Sequence, residues 1–209
     1  MTTSTDRPLR RDAAHNRDEL VNCAQREFAR DPRTSLDGIA RAAGLTRRAV
    51  YGHFPDRHAL VSAVIDRGAE HYNEIAQTLT AADPLDALQE LTRRLWDEAS
   101  VVQASTAIAL DEAYLPHTAR ALAPLRARLA QIVAAGQATG SLRRDVDAHT
   151  LVRLIEETAR TIILRWCGAP DTTADLPVRA VLSIAGLSWE HIADRLANPR
   201  TNGGTPDAR

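Results

Sequence analysis

Lysine is absent from this 209-residue chain: all 26 basic side chains are arginine, set against 27 acidic ones for a net charge of −1. So balanced a molecule advertises no polyanion partner as a whole, and wherever it does meet an anion the donor is a planar guanidinium. Cysteine is nearly absent too. Cys23 and Cys167 stand alone with no metal-ligand spacing, which excludes a disulfide framework or a zinc site and leaves two reduced thiols as the expectation. Aromatics make up 4% of the chain, too few to support a large stacking pocket for flat ligands. No run of about 18 apolar residues exists to span a membrane. The first residues, MTTSTDRPLRRD, lack an apolar signal core, so the expected location is cytoplasmic. Missing as well are a Gly-rich phosphate loop, HExxH, CxxC and a GxSxG elbow. The seven histidines and the carboxylates are scattered without paired spacing. No catalytic residue, metal or cofactor is therefore assigned, and an enzyme is not expected.

What is present is concentrated near the start. Residues 1–60 hold 11 Arg against 8 acidic residues, and residues 61–209 hold 15 against 19. Within the basic part, SLDGIARAAGLTRRAVYGHFPDRHAL (35–60) reads as two short helices around a tight turn, with the start of a third after them. Ser35 caps the first helix, whose apolar face is Leu36, Ile39, Ala40 and Ala43. Gly44 supplies the turn, Leu45 plugs the corner and Thr46 caps the second helix. Val50 and Phe54, four apart, point inward; Arg47, Arg48 and Tyr51 point outward. Pro55 ends the segment and Asp56 caps the third helix. A short helix with two arginines and a tyrosine on its outer face suits a DNA major groove. Either Arg47 or Arg48 can fork onto guanine. Ser35 and Thr46, at helix N-termini, suit a phosphate.

The residues Ile39-Ala40, Ala43-Gly44-Leu45-Thr46, Val50-Tyr51, His53-Phe54-Pro55 and Arg57 through Leu60 resemble the N-terminal signature of the TetR family of bacterial transcription regulators. A preceding helix with Leu20, Val21, Ala24 and Phe28 at its apolar positions agrees. Gly52 departs from the pattern, where a longer polar side chain is usual. The resemblance implies an all-α homodimer that binds operator DNA and releases it when a small molecule binds. It also places Tyr51, His53 and Arg57 at phosphates, with a packed structural histidine as the lesser alternative for His53. Arg7, Arg10 and Arg11 in the leader are either solvated or an arm for the minor groove.

Periodicity over the remainder predicts about nine helices in all: 13–30, two in the motif, 57–79, 85–99, 103–115, 122–139, 147–166 and 176–196. The expected domains are 1–58 for DNA binding and 59–197 for regulation and dimerisation, with a disordered tail at 198–209. The last two helices carry a wide apolar arc, and by resemblance Leu151, Ile155, Ile162, Val181, Ile184 and Gly186 are expected at a two-fold interface. For an effector, Trp96, Tyr114, Glu156, Arg160 and Trp166 are the candidates, each with an ordinary core or surface role as its alternative. Two readings compete: a homodimeric repressor released from operator DNA by a small molecule, or a DNA-binding or protein-interaction factor without an inducer.

Overall fold

The computed structural model describes residues 6–101, 103–167, 169 and 172–198. Among these, eleven helices and no strands occur, so the chain is all-α. It divides into two compact units that cut across the expected boundary at 58/59. One takes residues 1–70 and 102–121; the other takes 71–101 and 122–209.

In the first unit, α1 (Asp6–Arg30) lines up Leu20, Ala24 and Phe28 at intervals of four, and all three are fully buried with Val21. It starts seven residues before the expected Ala13. Pro8 falls in its first turn, where a missing N–H leaves no gap, and the leucine and arginines after it favour helix. Arg7, Arg10 and Arg11 of the leader, expected to be either solvated or an arm for the minor groove, thus fall within α1, while residues 1–5 lie outside the described residues. Helices α2 (Leu36–Ala42) and α3 (Arg47–His53) bury Leu36, Ile39, Ala40 and Val50 against that stripe. Phe54 and, from α4 (Arg57–Gln77), Leu60, Val61 and Val64 close the core.

The unit is completed by a segment distant in sequence. Where one helix was expected over 103–115, α6 (Gln103–Ala109) and α7 (Leu115–Ala121) are separated by a turn in which Asp111 accepts from the Ala113 N–H at 3.0 Å. Pro116 starts α7 instead of stopping a helix, which fits its preference for a first turn. Tyr114 enters the core and stacks on His58 with ring centroids 5.0 Å apart.

The second unit packs α8 (Ala123–Thr139) against α5 (Pro84–Val101) and α9 (Ala148–Trp166), and α10 (Asp175–Ile184) against the same two. Leu88, Leu91, Ile132, Val133, Leu142, Leu151, Ile155, Val181 and Leu182 form its interior. Asp83 caps α5 by accepting from Leu85 and Asp86, and Asp147 caps α9 by accepting from Thr150. A smaller cluster joins Trp96 and Ala99 to Ile162 and Cys167. Both cysteines are buried and unbridged, and burial pushes the Cys23 thiol above its usual range.

The long helix expected over 176–196 is broken. Helix α10 ends at Ile184, and α11 (Trp189–Ala197) begins after a four-residue turn, Ala185-Gly186-Leu187-Ser188. Gly186 has φ +105°, the Leu187 N–H returns to the Leu182 carbonyl and the Gly186 N–H to Ser183, while Ser188 caps α11. This is the same device as Ala43-Gly44-Leu45-Thr46. There Gly44 has φ +67°, Leu45 bonds back to Ala40 and Gly44 to Arg41. Of the tail expected over 198–209, Asn198 is the C-cap of α11 and residues 199–209 lie outside the described residues.

Candidate nucleic-acid interface

Four local interactions aim α3. The Ser35 hydroxyl accepts from the Gly38 N–H at 3.1 Å and the Thr46 hydroxyl from the Ala49 N–H at 3.2 Å. Both hydroxyl oxygens are therefore engaged as caps, leaving only their O–H available to an outside acceptor. Gly44 turns the chain between the caps, and Val50 and Phe54 anchor α3 from below. Arg47, Arg48, Tyr51 and Gly52 are left exposed on one short helix whose first turn holds no acid.

The two arginines differ in their surroundings. The Arg47 Nη1 lies 3.2 Å from Oδ2 of Asp37 on α2. Its Nη2 is 3.5 Å from the Tyr51 hydroxyl, and its guanidinium sits 5.1 Å from the Tyr51 ring centroid. Arg48 is exposed and, among the described residues, makes no hydrogen bond or ion pair. His53 is half-buried in the last turn of α3. Gly52 has helical backbone, and a Cβ built on it would meet nothing within 4 Å, so the fold itself has no need of a glycine there.

Arg57, expected at a phosphate, is engaged within its own unit. Its Nε donates to the Thr34 carbonyl at 3.1 Å, its Nη2 donates to the Pro32 carbonyl, and its guanidinium covers the Phe28 ring at 5.0 Å. That side chain ties down the loop leading to the Ser35 cap. Periodicity could not reveal this, since the partners lie 23 and 25 residues away.

The candidate effector residues are divided between the two units. Trp96 is buried in the small cluster of the second unit, whereas Tyr114 is core in the first. Glu156 pairs with Arg126 at 2.6 Å and Arg160 with Glu157 at 2.7 Å. Trp166, at the end of α9, is 45% exposed.

The expected interface residues are also placed differently. Leu151, Ile155, Val181 and Ile162 are buried inside their own protomer, and Ile184 packs partly against that core. Gly186 is in the turn, where an added Cβ would lie 2.7 Å from the Arg143 Cβ. The apolar side chains that do face outward on these helices are Leu154, Leu164 and Trp166 of α9, Leu176 of α10 and Trp189 of α11, the last 74% exposed. Leu164 lies half a turn away from the 151–155–162 stripe, a signal present in the sequence.

Residues 24–64 match the family model described as bacterial regulatory proteins, tetR family. The probable HTH-type transcriptional regulator ArpR of Pseudomonas putida is 34% identical over 84 residues, covering 39% of this chain and 40% of that protein. The chain spans less than half the length of the curated relatives it matches. Its fold is similar to that of RolR crystallised with resorcinol, with TM-score 0.69, 20% identity, and coverage of 90% of this chain and 96% of that one. A TetR-family repressor, FadR of Thermus thermophilus in complex with lauroyl-CoA, gives TM-score 0.55 and 19% identity, covering 92% of this chain and 99% of that one. At these identities the structural likeness is one of fold.

Proposed function

We propose that the chain is a TetR-family regulator, a homodimeric repressor that binds operator DNA through α3 and leaves it when a small molecule binds. One observation carries this reading: α3 is capped and anchored so that Arg47, Arg48 and Tyr51 all face solvent together. Arginine on such a helix reaches guanine O6 and N7, and the Ser35 and Thr46 hydroxyls donate to phosphates while they cap. The outward Leu154, Leu164, Leu176 and Trp189 support a second copy of the chain as the cover of the α9–α11 face. Two-fold pairing then presents two recognition helices to half-sites about one helical turn apart.

The resorcinol of RolR and the lauroyl-CoA of FadR support a small effector with a substantial apolar part. The ion pairs that already engage Glu156 with Arg126 and Arg160 with Glu157 support the second reading, a DNA-binding factor without an inducer. A thermal-shift titration with resorcinol and with lauroyl-CoA, followed by DNA release at saturating ligand, separates the two. Stabilisation with release supports the repressor. Stabilisation without release, or a flat response across a wider library of apolar metabolites, favours the inducer-free factor.

A further inference from the structure

Arg47 and Arg48 are neighbours in sequence, yet among the described residues only Arg47 has partners. We infer that they divide the work on DNA: Arg48 reads a base, while Arg47 is held by Asp37 and Tyr51 to set the protein's register on the phosphate backbone. This rests on the DNA-binding reading above. A bidentate fork on guanine needs two N–H groups of one guanidinium edge, unencumbered and coplanar with the base. In Arg47 both terminal nitrogens already face groups of their own unit, the Asp37 carboxylate at 3.2 Å and the Tyr51 hydroxyl at 3.5 Å.

Asp37 is what keeps it there. Its Oδ1 is buried without a hydrogen-bond partner, so Arg47 on Oδ2 is the carboxylate's compensation among the described residues. Withdrawing Arg47 toward a base would leave that carboxylate unpaired beside DNA phosphates, a like-charge juxtaposition that opposes binding. With Asp37 in the first turn of α2 and Arg47 opening α3, the pair also links the two helices of the motif. The Arg47 side chain remains 70% exposed, so its outer N–H groups still reach a phosphate. Arg48, about 100° further round the helix, carries no such tether. Asp37 is accordingly a positioning residue that acts through Arg47.

The test uses the full-length chain and a random-sequence duplex pool. Sequences enriched by the wild type are then bound by the wild type, Arg48→Ala, Arg47→Ala and Asp37→Asn across a salt series, alongside every single-base-pair variant. Arg48→Ala is expected to lose discrimination at one base pair per half-site, on the order of 10–100-fold. Arg47→Ala should weaken all duplexes alike, with the base preferences intact and the salt slope smaller by about 1 per protomer. Asp37→Asn should raise non-specific binding several-fold and lower the specific-to-non-specific ratio, at an unchanged melting temperature. A merely structural Asp37 would move the melting temperature and leave the ratio alone. Base discrimination lost with Arg47→Ala, or kept with Arg48→Ala, overturns the division of labour while leaving DNA binding intact. A wild type that enriches no sequence and binds no duplex overturns the DNA-binding reading and this inference with it.

Discussion

Replacing Gly186 by alanine distinguishes two descriptions of the last helices by the sign of its effect. In a continuous helix over 176–196, Gly→Ala stabilises by about 0.5–1 kcal/mol, because alanine has less backbone freedom to lose. In the turn between α10 and α11, φ is +105°, a conformation that costs an L-residue roughly 1–3 kcal/mol. The new Cβ would also lie 2.7 Å from the Arg143 Cβ and 3.3 Å from its backbone nitrogen. That nitrogen donates to the Ala185 carbonyl at 2.9 Å, so Arg143 cannot retreat without straining a bond worth about 0.5–1.5 kcal/mol. Together these give a destabilisation of about 2–4 kcal/mol, and a Tm lower by roughly 4–16 °C for a chain of this size. The assay is thermal and urea unfolding at one fixed protein concentration, since a dimer's Tm depends on it. Gly52→Ala is the internal control: it has open space and helical backbone, and should gain about 0.5–1 kcal/mol. A Gly186→Ala variant as stable as the wild type, or more so, refutes the turn.

Other expectations can be checked alongside. Arg57→Ala should destabilise the first unit by about 1–3 kcal/mol, through two lost charge-assisted bonds and the uncovered Phe28; an unchanged unfolding midpoint with weaker DNA binding would return Arg57 to the phosphates. Trp189→Ala with Leu164→Ala should shift the chain toward monomer in sedimentation while preserving its helical circular dichroism, because both side chains lie outside the protomer core. A dimer of unaltered affinity argues for another face. Hydrogen bonds from the Thr150 side chain and backbone hold the Asp147 carboxyl below the ordinary aspartate range. Its contribution to stability is therefore complete above about pH 4, the ordinary aspartate pKa, and is lost as pH falls through the lower folded value. Asp147→Asn should flatten the acid limb of a stability–pH curve, and a limb of the same steepness would exclude this cap as a source.

The motif was legible because each of its signals is local. Ser35, Gly44, Thr46 and Pro55 each fix the backbone over a few residues, and the period of the apolar residues between them has one interpretation. At Ala185-Gly186-Leu187-Ser188 the same signal was present, but apolar residues on both sides kept helical spacing and concealed the break. Pro116 was ambiguous for a related reason, since proline suits a helix's first turn as well as the residue after its end. The placement of Tyr114 against His58, and of Arg57 against Thr34, depends on partners far along the chain that no local period encodes. Burial misled at the last helices for a physical reason. A wide apolar arc identifies the surfaces that avoid water, but not which of them the protomer covers itself. Leu151 and Val181 proved to be interior, and Trp189 exterior.

Whether α3 reads DNA is decided by a protection footprint on DNA flanking the chain's own gene, at low and high salt. A DNA-reading α3 predicts a protected site of two-fold-related halves that fades steeply with salt. Protection should also be weakened by Tyr51→Ala, whose side chain faces outward with Arg47. Absence of protection there and on any fragment selected from the genome, or protection indifferent to both salt and Tyr51→Ala, would contradict a DNA-reading role for α3.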